Sequence, residues 1–378
     1  MSKQPVVVYA VTSAISANTF GIYQIQALVA QGYQVHLVCG EGVVKKELEA
    51  YCTEIHIFRQ LKRNISLCSD FVSLMKFFLL LKKIKPNIMI YSTPKASLLA
   101  SIASFLLSIN VRVYQIWGLR WQNFQGFRLK LFLSIEKIIL KLSTNSTSVS
   151  NSVKRFLDKK IANNSIVVLA DGSTVGININ YFFFAPNSNQ KNKSFKIGYA
   201  GRITSEKGIE KLLRLFKSIS LGAKELELEL IGDVDGSPEY LSKFQESIGH
   251  CRNINWISGL GQQELGIKMQ SWDLQVFLSE REGLGNVILE AGACGVPTFC
   301  WDMPGTIDAI PPRMKNFLID FGDINTMRNS IIEYIKQPLT LGERDKLSQW
   351  YIQNFEQRKV LQSFTNYING LLGGLVEK

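Results

Sequence analysis

Apolar residues follow two different spacings in turn along this chain, and the alternation predicts strands and helices in regular succession. Short apolar runs at residues 6–11, 31–40 and Phe195–Ala200 contain several β-branched residues, as buried strands do. Apolar residues at helical spacing occupy residues 20–30 and the stretch that follows Gly208. Strand, helix and strand in this order predict an α/β fold with parallel sheets.

The same alternation predicts two domains. It runs from Val6 to about Val168 and begins again at Phe195. The intervening residues 186–194 are rich in Asn, Ser, Gln and Lys, which is typical of a linker. A further helical pattern covers residues 356–372. The expected parts are a first domain (1–186), a second domain (187–355) and a C-terminal helical segment (356–378).

Two basic residues follow the predicted strand Phe195–Ala200, in a loop bounded by Gly201 and Gly208. Arg202 and Lys207 would lie beyond the carboxyl end of that strand, where open α/β sheets bind their ligands. An isolated Arg or Lys in such a loop is usually a solvated charge, which is the alternative for each.

Two carboxylates, Glu282 and Glu290, surround a second glycine turn and the start of a helix. Gly283 and Gly285 allow the backbone to approach a ligand, and a helix predicted over residues 287–293 would attract a phosphate to its N-terminus. Glu290, one turn inside, could accept hydrogen bonds from ribose hydroxyls, and Glu282 could meet a sugar hydroxyl. In the alternative, Glu282 complements the helix dipole and Glu290 is solvated.

These two motifs together resemble those of the retaining glycosyltransferases of family 4. Gly201, Arg202, Lys207 and Gly208 match the family's diphosphate-binding segment, and EGLGNVILE, from Glu282 to Glu290, matches its E-x7-E element. The resemblance implies the GT-B fold, with two Rossmann-like domains facing a central cleft and a last helix that crosses back to the first domain. It implies catalytic roles for Arg202, Lys207 and Glu282. The implied donor-binding residues are Gly201, Gly283, Leu284, Gly285, Asn286, Val287 and Glu290.

The resemblance also implies an activity. We expect transfer of a hexose or N-acetylhexosamine from a nucleotide diphosphate sugar, with UDP the expected nucleotide, to a lipid-linked saccharide with anomeric retention. The similar subgroup builds bacterial capsule and O-antigen polysaccharides on a polyprenyl-diphosphate carrier. A sugar-nucleotide epimerase of the same fold is an alternative. A nicotinamide-dependent oxidoreductase would need G-x-G-x-x-G after the first strand, which TSAISA does not supply.

The first domain is expected to receive the acceptor. Ser13, Lys95 and Arg120 follow apolar runs there, and the resemblance implies that they contact it, although a structural Arg and a solvated Lys are equally compatible with the sequence. The chain departs from the family in this domain. Many relatives carry a histidine near the donor sugar, and Trp117 stands near that place here. The sequence contains three histidines, His36, His56 and His250.

Charge distinguishes the two halves of the chain. The net charge is +12 overall, with +13 over residues 1–186 and −1 over residues 187–378. A basic half suits an anionic membrane surface, a lipid diphosphate or nucleic acid. A basic-domain binding protein without transferase activity is therefore a further alternative. The chain lacks a recognisable nucleic-acid-binding module, so we expect no nucleic-acid partner, and salt-dependent binding to DNA would discriminate. Residues 71–85 and 127–143 mix apolar and basic residues. They indicate either helices that lie on a membrane or core helices with snorkelling lysines.

The remaining expectations concern metals and location. The Asp233-Val234-Asp235 segment resembles a D-x-D metal motif, but Arg202, Lys207 and the helix start could neutralise a diphosphate, so we expect no metal cofactor. The six cysteines show no C-x-x-C pair, which suits a reducing bacterial cytoplasm. No segment has about 20 apolar residues without charge, so we expect at most peripheral attachment to the inner face of the cytoplasmic membrane.

Overall fold

The protein consists of two α/β units, Met1–Val175 with Arg358–Lys378 and Gly176–Gln357. A computed structural model describes residues 4–62, 64, 66–161, 165–186, 194–219, 226–249 and 251–376. Each unit is built on one wholly parallel sheet with helical connections. This agrees with the strand and helix succession that the apolar spacing predicts.

Among the described residues of the first unit, the sheet has seven strands in the order β3-β2-β1-β4-β5-β6-β7. Its strands are β1 (Val6–Ala10), β2 (Gln34–Cys39), β3 (Glu54–Ile57), β4 (Ile88–Ser92), β5 (Val111–Ile116), β6 (Asn145–Ser148) and β7 (Ile166–Val168). Its helices include α1 (Ala14–Ser16), α2 (Ile22–Ala30), α3 (Lys46–Tyr51), α4 (Leu67–Ile84), α5 (Pro94–Leu106), α6 (Gly126–Leu142) and α7 (Asn151–Ile161). A π-helical turn, Ala17–Gly21, joins α1 to α2.

In the described part of the second unit, the sheet has six strands in the order β10-β9-β8-β11-β12-β13. Its strands are β8 (Phe195–Ala200), β9 (Leu226–Ile231), β10 (Ile254–Ile257), β11 (Leu274–Phe277), β12 (Thr298–Asp302) and β13 (Leu318–Asp320). Its helices include α8 (Ile209–Ser218), α9 (Pro238–Gly249), α10 (Gln262–Met269), α11 (Asn286–Ala293), α12 (Ile324–Lys336) and α13 (Leu341–Phe355).

The last helix, α14 (Gln357–Val376), belongs almost entirely to the first unit. Phe364 and Ile368 are buried in the core that covers one face of the β1 and β2 strands, together with Ile25 and Leu28 of α2. The other face of the sheet is covered by α4, α5 and α6, whose apolar side chains, Phe77 among them, form a second core. Both faces of the first sheet are therefore buried, as parallel sheets require.

The division between the units falls at Val175/Gly176 rather than after residue 186. Residues beyond it pack within the second unit, because Ile177 forms a parallel bridge with Glu356 and Phe182 is fully buried. The composition of the sequence did not indicate this boundary, because the segment after Gly176 lacks regular secondary structure and is held in the second unit by its apolar side chains. Most of the predicted linker, residues 187–193, lies outside the described residues.

Candidate functional site

The second sheet brings the two predicted motifs together at the point where its strand order reverses. β8 lies between β9 and β11, so the connections from β8 and β11 leave the sheet in opposite directions. Ligands of open α/β sheets bind in the crevice formed at such a switch point, outside the carboxyl ends of the strands. Arg202 follows β8, and Glu282 follows β11. The backbone N–H of Glu280 donates to the carbonyl of Glu206 over 3.0 Å, which joins the two loops directly.

Lys207 and Glu282 form the centre of the site. Lys207 Nζ lies 2.5 Å from Glu282 Oε1, and the two side chains are only 17% and 12% exposed. The Lys207 ammonium also lies 5.8 Å from the ring centre of Phe277, in a cation–π contact. Because water screens this mostly buried ion pair only weakly, its two charges attract each other more strongly than those of a surface pair. The sequence motif predicted both residues, and the structure places them in contact.

Arg202 is held between two carboxylates. Its guanidinium lies 2.5 Å from Asp235 Oδ2 and 3.2 Å from Glu206 Oε1. Desolvation opposes the charge of the guanidinium, but the hydrogen bond and charge of Asp235 outweigh it and raise the pKa of Arg202. The Tyr199 hydroxyl donates to the Arg202 carbonyl over 2.9 Å, which fixes the backbone. Arg202 therefore stays cationic and partly exposed at the switch point.

The glycine turn after β11 delivers the start of α11 to the same place. Gly285 adopts φ +75° at the N-cap, a backbone conformation that favours glycine, and its lack of a side chain leaves the helix start without a side-chain cap. The helix begins at Asn286, one residue before its predicted start. Leu284 is buried, whereas Asn286 and Val287 in the first turn are partly exposed. Because β8 and β11 are neighbouring parallel strands, the start of α11 and the basic loop follow the same edge of the sheet, and a helix N-terminus there suits an anionic group.

Glu290 lies on α11, one turn beyond its start. Burial raises the pKa of its carboxyl to about 8. A carboxyl that holds its proton near neutral pH can both donate and accept a hydrogen bond. Such a group suits the hydroxyls of a ribose.

Several charged residues of the site were not predicted. Arg281 pairs with Glu206 over 2.8 Å, and Lys211 pairs with Glu280 over 2.6 Å. With the Lys207–Glu282 pair, three ion pairs connect the loop after β11 to the segment that runs from the loop after β8 into α8. The run of three charged residues at 280–282 is the signal in the sequence, but its partners depend on which loops the strand order brings together.

The carboxylates of the D-x-D-like segment have partners in the protein. Asp233 accepts the Gly259 N–H over 3.0 Å, and Asp235 accepts from Arg202. Among the residues that the structure describes, the cluster with metal-ligand spacing lies elsewhere, in the first unit.

Comparison with known proteins identifies the family. The model for glycosyl transferases group 1 matches residues 182–354, and the model for glycosyl transferase 4-like domains matches residues 9–150. The capsular polysaccharide biosynthesis glycosyltransferase CapM of Staphylococcus aureus is 32% identical over 82% of this chain and 83% of its own length. The chain belongs to the group 1 glycosyltransferases.

A second relative and one solved structure are also similar to this glycosyltransferase. The Escherichia coli UDP-Gal:alpha-D-GlcNAc-diphosphoundecaprenol alpha-1,3-galactosyltransferase is 23% identical over 82% of each chain. The crystal structure of Anabaena HepE in complex with UDP and glucose superposes with a TM-score of 0.77 at 16% identity, over 97% of this chain and 100% of that chain. The expected GT-B fold is therefore confirmed, and the chain is an enzyme that transfers a glycosyl group.

The residues expected to meet the acceptor lie at the ends of β1, β4 and β5 in the first unit of this glycosyltransferase. Ser13 caps α1, where its side chain accepts from the Ser16 N–H. Lys95, near the start of α5, is only 11% exposed and lies 2.6 Å from Asp70 Oδ1. Arg120 lies over the ring of Phe132. Each has a structural contact, and a contact with the acceptor stays a prediction.

The ends of β1 and β4 form the switch point of the first sheet, since β1 lies between β2 and β4. The Thr12 and Thr93 hydroxyls lie 2.8 Å apart across it. Thr93 has φ +69°, which is uncommon for a residue with a branched side chain. Sequence reasoning missed this pair of hydroxyls, although Thr93 directly precedes the Pro94 that begins α5.

None of the helices in the described part of the chain has the length and hydropathy that crossing a bilayer requires.

Proposed function

We propose that this glycosyltransferase moves a hexose or N-acetylhexosamine from a UDP-sugar to a polyprenyl-diphosphate-linked saccharide, with retention, in the synthesis of a bacterial surface polysaccharide. The observation that carries the proposal is the Lys207–Glu282 pair at the second switch point, beside Arg202 and the start of α11. Two cations and a helix N-terminus suit a diphosphate, and an adjacent carboxylate suits a sugar hydroxyl.

The chemistry follows from where charge develops. As the sugar leaves, its anomeric carbon becomes oxocarbenium-like and negative charge grows on the departing diphosphate. Lys207 and Arg202 stabilise that charge, and Glu282 orients the sugar. Fixed cations of this kind stabilise the transition state more than the ground state, which accelerates the transfer.

Retention follows from attack on the face that the leaving group vacates. The bond from the anomeric carbon to the phosphate oxygen breaks, the bond to the acceptor oxygen forms on the same face, and the acceptor proton passes to the departing diphosphate. Glu282 is paired with Lys207, so we assign it to orienting the sugar rather than to nucleophilic attack.

We propose that donor binding needs no metal ion. Arg202 and Lys207 supply positive charge, while Asp233 and Asp235 accept hydrogen bonds from Gly259 and Arg202. A metal at these aspartates would have to displace both contacts.

The curated relatives support the acceptor and the pathway. The Escherichia coli relative is named for a diphosphoundecaprenol-linked acceptor and a UDP-galactose donor, and the Staphylococcus relative for capsular polysaccharide biosynthesis. We propose the same class of lipid-linked acceptor here, and a place in capsule or O-antigen synthesis.

A lipid-linked acceptor requires access to a membrane, and the first unit offers a surface for it. Exposed apolar side chains on α4 recur every four residues and define what we term the α4 face: Leu67, Phe71, Met75 and Leu79. Exposed lysines follow at its end: Lys82, Lys83 and Lys85. Apolar side chains beside lysines on a half with net charge +13 suit an anionic bilayer surface. We propose peripheral attachment from the cytoplasmic side, which agrees with six free cysteines.

The proposed activity is tested by supplying UDP-linked sugars with a synthetic polyprenyl-diphosphate N-acetylhexosamine in the presence of a chelator. The proposal predicts a disaccharide on the lipid and release of UDP that depends on the acceptor. Conversion of the free UDP-sugar to an epimer without acceptor would instead support the epimerase alternative.

A further inference from the structure

Two histidines and a glutamate lie together on the first sheet, at its β3 edge. β2 and β3 are parallel neighbours, and their register sets His36 opposite Glu54 and Val38 opposite His56. Side chains at alternate positions of a strand point to the same face, and those at paired positions are neighbours. His36, Glu54 and His56 therefore share one face. β3 ends the sheet, so the cluster has a neighbouring strand on one side alone.

The potential ligand atoms of the cluster are close together. His36 Nδ1 lies 3.3 Å from His56 Nε2. Glu54 Oε2 lies 3.9 Å from His36 Nδ1, and Glu54 Oε1 lies 3.6 Å from His56 Nδ1. One ligand atom from each of the three residues can be chosen so that all lie within 4.8 Å of one another.

The nitrogen spacing matches that of two imidazoles on one metal ion. Nitrogens bound at roughly 2.0–2.1 Å to a tetrahedral zinc ion lie about 3.3–3.4 Å apart. The observed 3.3 Å falls in this range, and it is longer than the 2.7–3.2 Å that is usual for a direct hydrogen bond from nitrogen. The two rings are within 12° of parallel, so at least one side chain must rotate for both nitrogens to face a common ion.

The partial exposure of the three side chains allows an ion to reach the cluster. The two histidine side chains are 12% exposed, whereas Glu54 is 59% exposed and free to close over an ion. Lys83 lies near His56, but its side chain is exposed and can turn away from the cluster.

We propose that His36, His56 and Glu54 bind one divalent transition-metal ion, with zinc as the expected ion and water completing its coordination. Two imidazoles and one carboxylate prefer zinc, nickel or copper over magnesium or calcium. The site belongs to the first unit, and the proposed donor residues belong to the second. The ion would join the edge strand β3 to β2 and so stabilise the edge of the sheet.

The proposal is tested by calorimetric titration of the chelator-treated full chain with Zn²⁺. We expect one ion per chain, and we expect His36→Asn and His56→Asn each to weaken binding at least about tenfold. Glu54→Gln tests the exposed ligand in a variant that keeps both buried rings, and it should weaken binding as well. Matched controls are His250→Asn, at the remaining histidine, and Cys68→Ser, at an exposed thiol, and both should bind Zn²⁺ like the wild type.

Two results would overturn the proposal. One is the absence of saturable Zn²⁺ binding by the wild type. The other is binding that survives in all three ligand variants or is lost in Cys68→Ser, because the ion would then lie elsewhere. Glycosyl transfer is not needed for this readout, so its outcome is independent of the proposed function.

Discussion

Lys207 and Glu282 show how a pair of side chains can be both a structural contact and a site. Their 2.5 Å ion pair is mostly buried, and removal of one partner leaves the other charge without compensation. In the proposed mechanism, a diphosphate that approaches Lys207 would provide a new anionic partner and release Glu282 toward the sugar. The sequence predicted both residues from their motifs, but their mutual contact depends on the sheet topology.

We expect Lys207→Ala or Glu282→Ala to lower turnover by about 100-fold, because each removes one electrostatic contact to the transition state. The measurement is glycosyl transfer at saturating donor, with circular dichroism to confirm folding. Lys211→Ala is the matched control, since it breaks the neighbouring and more exposed pair with Glu280 and should change turnover less than about threefold. Turnover near the wild-type value in a folded Lys207→Ala protein would refute the assignment.

Glu290 should make stability depend on pH. Its pKa is about 8 in the folded protein and about 4.5 when unperturbed, so between these values the folded state binds more protons than the unfolded chain. Stability contributed by the protonated carboxyl is therefore lost as pH rises from about 5 to 8.

Urea unfolding of the wild type and Glu290→Gln across this range tests the shift. We expect the wild type to lose at least about 1 kcal/mol relative to the variant as pH rises. Parallel pH profiles for the two proteins would show that the carboxyl titrates normally.

Among the secondary-structure elements, the apolar spacing predicted the helices and strands whose positions depend on local sequence. β8 has the predicted bounds, and α5, Pro94–Leu106, starts with proline at its first position, where proline is well suited to begin a helix. The helix expected over residues 20–30 is preceded by the π-helical turn Ala17–Gly21, which no periodicity indicates. Such turns are frequent at functional sites, and this one lies near the end of β1.

Gly208 links the basic loop to α8 and has a close neighbour. It adopts φ +74°, and an added Cβ would lie 2.2 Å from the Leu278 carbonyl oxygen. Gly322 also has a positive φ, +89°, but nothing lies within 4 Å of an added Cβ. Alanine at either position would therefore cause backbone strain, but only at Gly208 would it also cause a steric clash.

We expect Gly322→Ala to destabilise the protein by about 1 kcal/mol and Gly208→Ala by about 2 kcal/mol more, as measured by chemical denaturation. Gly208→Ala should also reduce turnover, since Lys207 directly precedes it. Equal losses of stability in both variants would contradict the close approach of the Leu278 carbonyl.

For the whole molecule, the order of strands and helices predicted two α/β domains, and the family resemblance implied that both are Rossmann-like. It did not predict the boundary at Val175/Gly176, because Phe182 and Ile177 anchor an irregular segment by burial. Nor could it indicate that Glu206 pairs with Arg281, since that contact depends on β8 and β11 being neighbours. The difference in net charge between the two halves of the chain was evident from the sequence. The α4 face was identified from the exposure of its side chains in the structure.

The α4 face should bind anionic liposomes in flotation assays, and high salt should weaken the binding as it screens the lysines. We expect Phe71→Ser with Met75→Ser to reduce the bound fraction severalfold, because both side chains are exposed and apolar. Ile267→Ser, at an exposed apolar residue of the second unit, is the control and should bind normally. Equal binding by all three proteins would exclude the α4 face as the contact.

The proposed function requires that the switch point of the second unit binds the nucleotide diphosphate of a sugar donor. The most direct measurement is thermal unfolding with UDP, GDP, ADP and NAD in turn, in the presence of a chelator, for the wild type and Lys207→Ala. A ligand at about 100 times its dissociation constant stabilises by roughly 2.7 kcal/mol. We expect a rise in the melting temperature of the wild type with UDP and little or none in Lys207→Ala. An equal rise in both proteins, or a rise with NAD alone, would contradict it.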